Sequence, residues 1–230
     1  MGFIQQRVFE VAFSFNIIPF PVSETMTSKS VTLDAASSGI VLCYQAMRVI
    51  AGKAKGFVLK VPRRLATRPA TELVRGAIFS ILEARAQSWE RVLDVFSGSG
   101  SLGIEALSRG AGWVDFVEHE RRCCAIIKEN LEKTGFSNQS HVYCTRVEKA
   151  ISFLDKEYDI ILMDPPYSDK SISDTIERLA NSKLVAENTI MVVTHSSHLA
   201  LRPAYGRLSM AKEHRHGDSL IAVYQQEAAS

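Results

Sequence analysis

Cysteine is scarce in this chain and badly spaced for chemistry. The four present, Cys43, Cys123, Cys124 and Cys144, form no CxxC pair, and the neighbours Cys123 and Cys124 are poorly placed to bridge each other. A reducing cytoplasm is therefore the simplest home. No apolar run reaches the roughly 18 to 20 residues that a membrane-spanning helix needs. The most apolar N-terminal stretch, Val8 to Val22, is broken by Glu10, Asn16, Pro19 and Pro21 and preceded only by Arg7, which makes a poor signal peptide. His214 and His216 lie two apart with no cysteine near them, so no zinc or other metal is expected. The strand-turn-helix nucleophile motif of a Ser-His-Asp hydrolase is missing too.

What is present suits one α/β domain with a sizeable core and a short appendage: 230 residues, 46% hydrophobic and 23% charged. The net charge of +2 hides an asymmetry. From Met47 to Arg75 there are eight basic residues (Arg48, Lys53, Lys55, Lys60, Arg63, Arg64, Arg68, Arg75) and one acidic, Glu72, whereas residues 76 to 230 carry 17 basic and 21 acidic. A cationic segment beside a near-neutral body is what a phosphate-backbone partner requires. A solvated basic hairpin without a partner has the same charge pattern.

Residues 1 to 46 show no periodicity that would let them join a core, and read as an extension. Structured sequence begins at Met47, where translation is expected to start. From Met47 to Val61 glycines punctuate short β-prone runs, predicting a hairpin. Thr67 and Pro69 predict a helix start, and Leu73, Ala77, Ile78, Ile81 and Leu82 carry the helix to about Arg85. From Glu90 strands near 91–96, 113–118, 141–144, 158–163 and 189–194 alternate with helices near 102–109, 120–133, 147–154 and 171–180, which favours a parallel sheet covered on both faces. Two β-like runs in the tail, Arg207 to Ala211 and Ser219 to Gln225, flank the polar stretch Lys212 to Asp218 and are most easily antiparallel.

Gly98-Ser99-Gly100-Ser101-Leu102-Gly103 satisfies GxGxxG between a strand and a helix, a spacing shared by dinucleotide enzymes and by plain structural turns. Asp94 tilts the balance: a carboxylate at the strand end repels a pyrophosphate but attracts the ammonium of a bound amino acid. That favours S-adenosylmethionine over NAD. Glu118, ending the second strand, can accept from two ribose hydroxyls. Asp164-Pro165-Pro166-Tyr167 follows an apolar strand, 70 residues after Asp94. An exocyclic amine on a base is a poor nucleophile because its lone pair is delocalised into the ring. The Asp164 carboxylate and the Pro165 carbonyl can accept its two N–H bonds and turn the lone pair toward a methyl donor. Pro165 and Pro166 stiffen the loop, and Tyr167 can stack on the base. A rigid loop exit is the bland alternative. His195 follows the fifth strand and reads as a solvated loop residue, His119 as unassigned surface and Glu120 as a helix-start residue.

Taken in order, Arg68-Pro69-Ala70-Thr71-Glu72-Leu73-Val74-Arg75, then Asp94-Val95-Phe96-Ser97-Gly98-Ser99-Gly100 through Ala111, then Asp164-Pro165-Pro166-Tyr167 resemble the RsmD family of bacterial methyltransferases, from about Met47 to the C-terminus. The resemblance implies a Rossmann-like class I fold with a seven-stranded, mostly parallel sheet, one antiparallel strand and a basic N-terminal hairpin. It implies S-adenosylmethionine as donor, N2 of a guanine in 16S ribosomal RNA as acceptor, the RNA or the assembling small subunit as partner, and a monomer. Its cofactor residues would be Thr71, Asp94, Phe96, Gly98, Gly100, Glu118, Arg146 and Val147. Its catalytic residues would be Asp164, Pro165, Pro166 and Tyr167, and Arg48, Lys53, Lys55, Lys60, Arg63 and Arg64 would meet RNA. The chain would divide into an extension (1–46), a hairpin (47–66) and a methyltransferase domain (67–230). Arg146 departs from the family, which often has an acid or amide there for the adenine amine; an arginine cannot accept from it. The rival readings are a DNA adenine-N6 methyltransferase, for which no target-recognition domain is visible, a non-catalytic RNA-binding assembly factor, and an NAD-dependent dehydrogenase.

Overall fold

The computed structural model describes residues 47–62, 72–167, 169 and 171–226. Residues 1–46 and the positions Arg63, Arg64, Thr67, Arg68, Pro69 and Thr71 lie outside them, as do the expectations placed there. The elements in chain order are α1 (Glu72–Arg85), β1 (Arg91–Val95), α2 (Ser101–Ser108), β2 (Trp113–Glu118), α3 (Arg121–Thr134), β3 (Ser140–Cys144), α4 (Val147–Phe153), β4 (Tyr158–Met163), α5 (Ile172–Ala180), β5 (Val185–Ser196), β6 (Ala204–Tyr205), β7 (Leu208–His216) and β8 (Ser219–Gln225). The sheet order is β3-β2-β1-β4-β5-β8-β7-β6. Strands β1 to β5 run parallel, and β8, β7 and β6 pair antiparallel.

Alternation along the strands builds two cores. Val92, Ile160 and Leu162 face α1, α2 and α3, while Leu93, Val95, Ile161 and Met163 face α4 and α5. Strands β1 and β4 are buried over nearly their whole length, as a parallel sheet covered on both sides demands. Near-continuous apolar runs at these strands thus carry both faces at once.

Three expectations change. The sheet has eight strands rather than seven, because the two-residue β6 adds an edge pair, Ala204↔Ser209 and Tyr205↔Leu208. Strand β7 absorbs most of the polar stretch that was expected to separate the tail strands. Lys212, Glu213, His214, Arg215 and His216 pair with Val223 to Ser219, because an outer strand keeps polar side chains toward water without breaking its ladder. Only Gly217 and Asp218 form the turn, with Gly217 at φ 63, a conformation open to glycine at a tight hairpin. Lastly, His195 is a buried residue of β5 rather than a solvated loop residue. Its ring contacts the Leu199 carbonyl at 2.9 Å and Glu213 at 3.2 Å.

The segment from Met47 to Lys60 does not project freely. It forms an antiparallel turn with one bridge, Arg48↔Val58, and its Val49, Ala54 and Leu59 join the core against α1, α2 and α3. Buried Glu105 accepts the backbone N–H groups of Ile50 (2.7 Å) and Ala51 (3.0 Å). Ser108 holds Lys53 and Ala54 through its carbonyl and hydroxyl. Gly52 sits at φ 79 where a Cβ would overlap the Ser108 carbonyl, so close backbone approach requires glycine there. Buried Arg75 reaches the Arg48 carbonyl at 2.8 Å. Burial pulls its pKa down, while Glu105 and Glu72 push it up.

Candidate active site

Strand order reverses between β1 and β4, and open α/β sheets bind ligands at the carboxyl ends of the strands flanking such a switch. The register pairs Val95 with Met163, so Asp94 near the end of β1 and Asp164 just beyond β4 come out side by side. A cavity of about 670 Å³ opens there. Its walls include Asp94, Phe96, Gly98 and Glu118 from the glycine-rich side and Asp164, Pro165, Pro166 and Tyr167 from the other.

The glycine-rich side is buried and tied to the backbone. Asp94 is 1% exposed, and its carboxylate accepts the Gly103 N–H at 2.9 Å. Burial pushes its pKa up to about 8, against the Gly103 bond, with Asp164 and Glu118 raising it further. A buried carboxyl of this kind ionises once a cation is brought against it. Glu118 accepts from Gly98 N (2.9 Å) and Glu120 N (2.8 Å), one on each oxygen, which fixes its plane at the cavity wall. His119 lies 3.2 Å from Glu118. Phe96 has φ 57, the one non-glycine positive value among the described residues, a strained conformation of the kind found at ligand sites. Gly100 does not line the cavity. Its φ of 77 opens α2, and a Cβ there would meet Ile127 at 3.2 Å. A Cβ at Gly103 would overlap the Phe116 ring, so the third glycine serves helix-on-strand packing. Arg146 and Val147, at the start of α4, do not line the cavity either; His119, Glu120 and Cys123 do.

The other side is more open and assembled from distant parts of the chain. Asp164 accepts the Thr194 hydroxyl from β5. Tyr167 is 45% exposed, and its hydroxyl meets Ser219 at 2.8 Å. Burial raises the phenol's pKa, the Ser219 bond lowers it and Asp164 raises it, so the phenol keeps its proton at neutral pH. The turn His216-Gly217-Asp218-Ser219 completes this wall.

The basic segment docks beside the site. Buried Asn130 receives Lys60 N at 2.8 Å and donates to Lys60 O (3.0 Å) and Ser99 O (2.9 Å), joining that segment to the glycine-rich turn. Arg48, Lys53, Lys55 and Lys60 are exposed, but Lys60 pairs with Glu129 at 2.5 Å and Arg48 with the Gly56 carbonyl. Sequence reasoning missed Thr194, Ser219, Asn130 and Glu105, because each acts across 30 or more residues of chain without a local motif. Cys124 and Cys144 form a bridged pair with Cα atoms 5.9 Å apart, brought together by α3 and the end of β3. Burial and the carboxylates of Glu118 and Glu120 push the Cys123 thiol up to about 12, which removes it as a nucleophile. Among the described residues no His, Cys, Asp or Glu cluster fits a metal, and no helix is long and apolar enough to cross a membrane.

The sheet order, with its antiparallel end and paired carboxylates at the switch, defines the class I methyltransferase fold. The model for the family described as "Conserved hypothetical protein 95" matches residues 47–225, and the chain belongs to this family, the RsmD family. It is 31% identical over 183 residues to YlbH of Bacillus subtilis, named as an rRNA methyltransferase, covering 78% of this chain and 99% of that one. It is 30% identical over 185 residues to ribosomal RNA small subunit methyltransferase D of Escherichia coli K12, covering 79% and 91%. The solved structure of the E. coli protein YhhF, titled a methyltransferase, superposes with a TM-score of 0.68 at 27% identity, covering 80% and 99%.

Proposed function

We propose that the protein methylates the exocyclic N2 amine of a specific guanine in 16S ribosomal RNA, free or within the assembling small subunit, using S-adenosylmethionine. One observation carries the reading: Asp164 to Tyr167 share a single cavity with Asp94 and Glu118. When bound, the cofactor supplies an electrophilic methyl on a sulfonium. The buried Asp94 carboxylate suits its ammonium, Glu118 its ribose hydroxyls, and the backbone around Phe96 and Gly98 its methionine chain, with Thr71 near the donor. The wall at His119, Glu120 and Cys123 gives the adenine a place that needs no contact from Arg146 or Val147.

On this reading Asp164, held by Thr194, and the Pro165 carbonyl accept the two N–H bonds of the amine, while Pro166 keeps the loop stiff. Held this way, the nitrogen lone pair would face the methyl that the cofactor would supply, and the alkylated nitrogen would release its proton to water without a strong base. Tyr167 stacks on the ring. Arg48, Lys53, Lys55 and Lys60, with Arg63 and Arg64, meet the RNA backbone. Residues 1–46 are an extension, 47–66 the RNA-binding segment and 67–230 the catalytic domain of a cytoplasmic monomer. The test is transfer of labelled methyl to small-subunit RNA from cells lacking the protein, with mass mapping of the product. One guanine gaining one N2 methyl supports the reading. RNA binding without transfer makes the protein an assembly factor, and methyl on adenine N6 changes the acceptor.

A further inference from the structure

Adenine, cytosine and guanine all carry an exocyclic amine that an Asp164–Pro165 clamp holds alike. They differ at the ring nitrogen next to it: guanine N1 bears a hydrogen, while adenine N1 and cytosine N3 present a lone pair. A carboxylate beside the clamp therefore accepts from guanine and repels the other two, because an ionised carboxylate is acceptor-only.

The cavity walls hold five acidic residues, Asp94, Glu118, Glu120, Asp164 and Asp218. Asp94 and Glu118 are tied into the glycine-rich side by Gly103, Gly98 and Glu120 backbone N–H groups, and Glu120 opens α3 next to them. Asp218 alone, besides Asp164, belongs to the side where Tyr167 stands. It sits on the β7–β8 turn, whose next residue, Ser219, bonds the Tyr167 hydroxyl at 2.8 Å. The turn is fixed in place: Ser197 N donates to the Asp218 carbonyl at 3.2 Å, and Arg215 Nε donates to the Gly217 carbonyl at 3.1 Å. We infer that Asp218 is the specificity-determining residue of the site, accepting the N1–H of the target guanine while Asp164 and Pro165 hold its N2 amine. The tail hairpin thus works as a base reader as well as a sheet edge. This inference rests on the guanine-N2 reading above.

The probe is an RNA carrying the mapped target site with guanosine or, in its place, 2-aminopurine riboside, which keeps the 2-amino group but has an unprotonated N1. The wild-type protein should methylate the guanosine substrate about 10- to 100-fold faster, in kcat/KM, than the 2-aminopurine one, the worth of one hydrogen bond to a charged group. Asp218→Asn, whose amide can also donate, should shrink or reverse that ratio while Asp218→Ala lowers transfer to guanosine. Equal rates on both substrates by the wild-type protein, a comparison that involves no variant, overturn the inference. So does an unchanged ratio in Asp218→Asn. If the wild-type product is not N2-methylguanosine, the guanine-N2 reading fails first and the Asp218 assignment falls with it, so the two failures are told apart by the identity of the product.

Discussion

The two walls of the cavity are built on opposite plans. The glycine-rich wall comes from a stretch of chain running from Asp94 to Cys123, buries its Asp94 and Glu118 carboxyls, and fixes them by backbone N–H donors. The facing wall has its tetrapeptide in one place and its supports elsewhere, Thr194 on β5 and Ser219 on the tail hairpin, and it keeps Tyr167 nearly half exposed. The difference matches what each must receive. A small ligand with a cationic group needs a preformed, enclosed niche with a carboxyl that can ionise against it, whereas a base delivered on a large RNA needs an open face with a few convergent acceptors.

Removing the clamp should separate the walls most sharply. Asp164→Ala is expected to lower kcat by about 100- to 1,000-fold or more, the scale of losing one preorganised polar group at a reacting atom, while equilibrium dialysis still shows bound S-adenosylmethionine. A comparable loss of cofactor binding would mean that the walls are not independent. Titrating the other wall comes next. Asp94 holds its proton up to about pH 8 in the cofactor-free protein, and a cationic ligand requires the ionised form. Affinity for S-adenosylmethionine should therefore fall about tenfold per pH unit below about 8, with a proton released on binding that calorimetry in two buffers detects; Asp94→Asn should bind weakly at every pH. The folded state also binds this proton above the carboxyl's ordinary range. Asp94 thus makes the cofactor-free protein less stable as pH rises from about 4 to 8, and thermal melts should show the loss shrinking in Asp94→Asn.

Thr194→Val tests whether the facing wall depends on its distant supports. Loss of the hydroxyl bond to Asp164 should cost about tenfold in kcat, one ordinary hydrogen bond, with KM for RNA nearly constant. An equal rise in KM would point to general loosening instead. The smallest effect belongs to the docked basic segment. Replacing both Lys53 and Lys55 with alanine should lower the slope of log affinity against log salt by about 1 to 2, roughly one for each phosphate no longer neutralised, whereas Lys60→Ala, already paired with Glu129, should change it little.

Much of this was legible along the chain because it is local. The strand-and-helix alternation from Glu90 onward follows from residue periodicity, and Asp94, Glu118 and Asp164 stand at strand ends, where a parallel sheet must present them. Strand β7, next to the short edge strand β6, was legible only in part: its polar residues from Lys212 to His216 look like loop until a neighbour, β8, supplies hydrogen bonds. His195 misled for the opposite reason, since the partners that bury it, Leu199 and Glu213, are contributed by other segments. Gly100 matched a ligand fingerprint, yet its need for glycine comes from φ and from Ile127.

The sequence by itself determined the alternating α/β pattern, the acidic strand ends, the stiff Asp164 to Tyr167 loop and the cationic segment, because each rests on side-chain chemistry and spacing within a few residues. Only the tertiary structure decided that Asp94 and Asp164 share one cavity, that Ser219 and Asp218 line it while Thr194 holds Asp164 from behind, and that Asn130 and Glu105 dock the basic segment on the domain. The physical reason is the register of β1 on β4 and the antiparallel return of the tail, which are set by burial on both sheet faces and leave no mark in any short stretch of sequence.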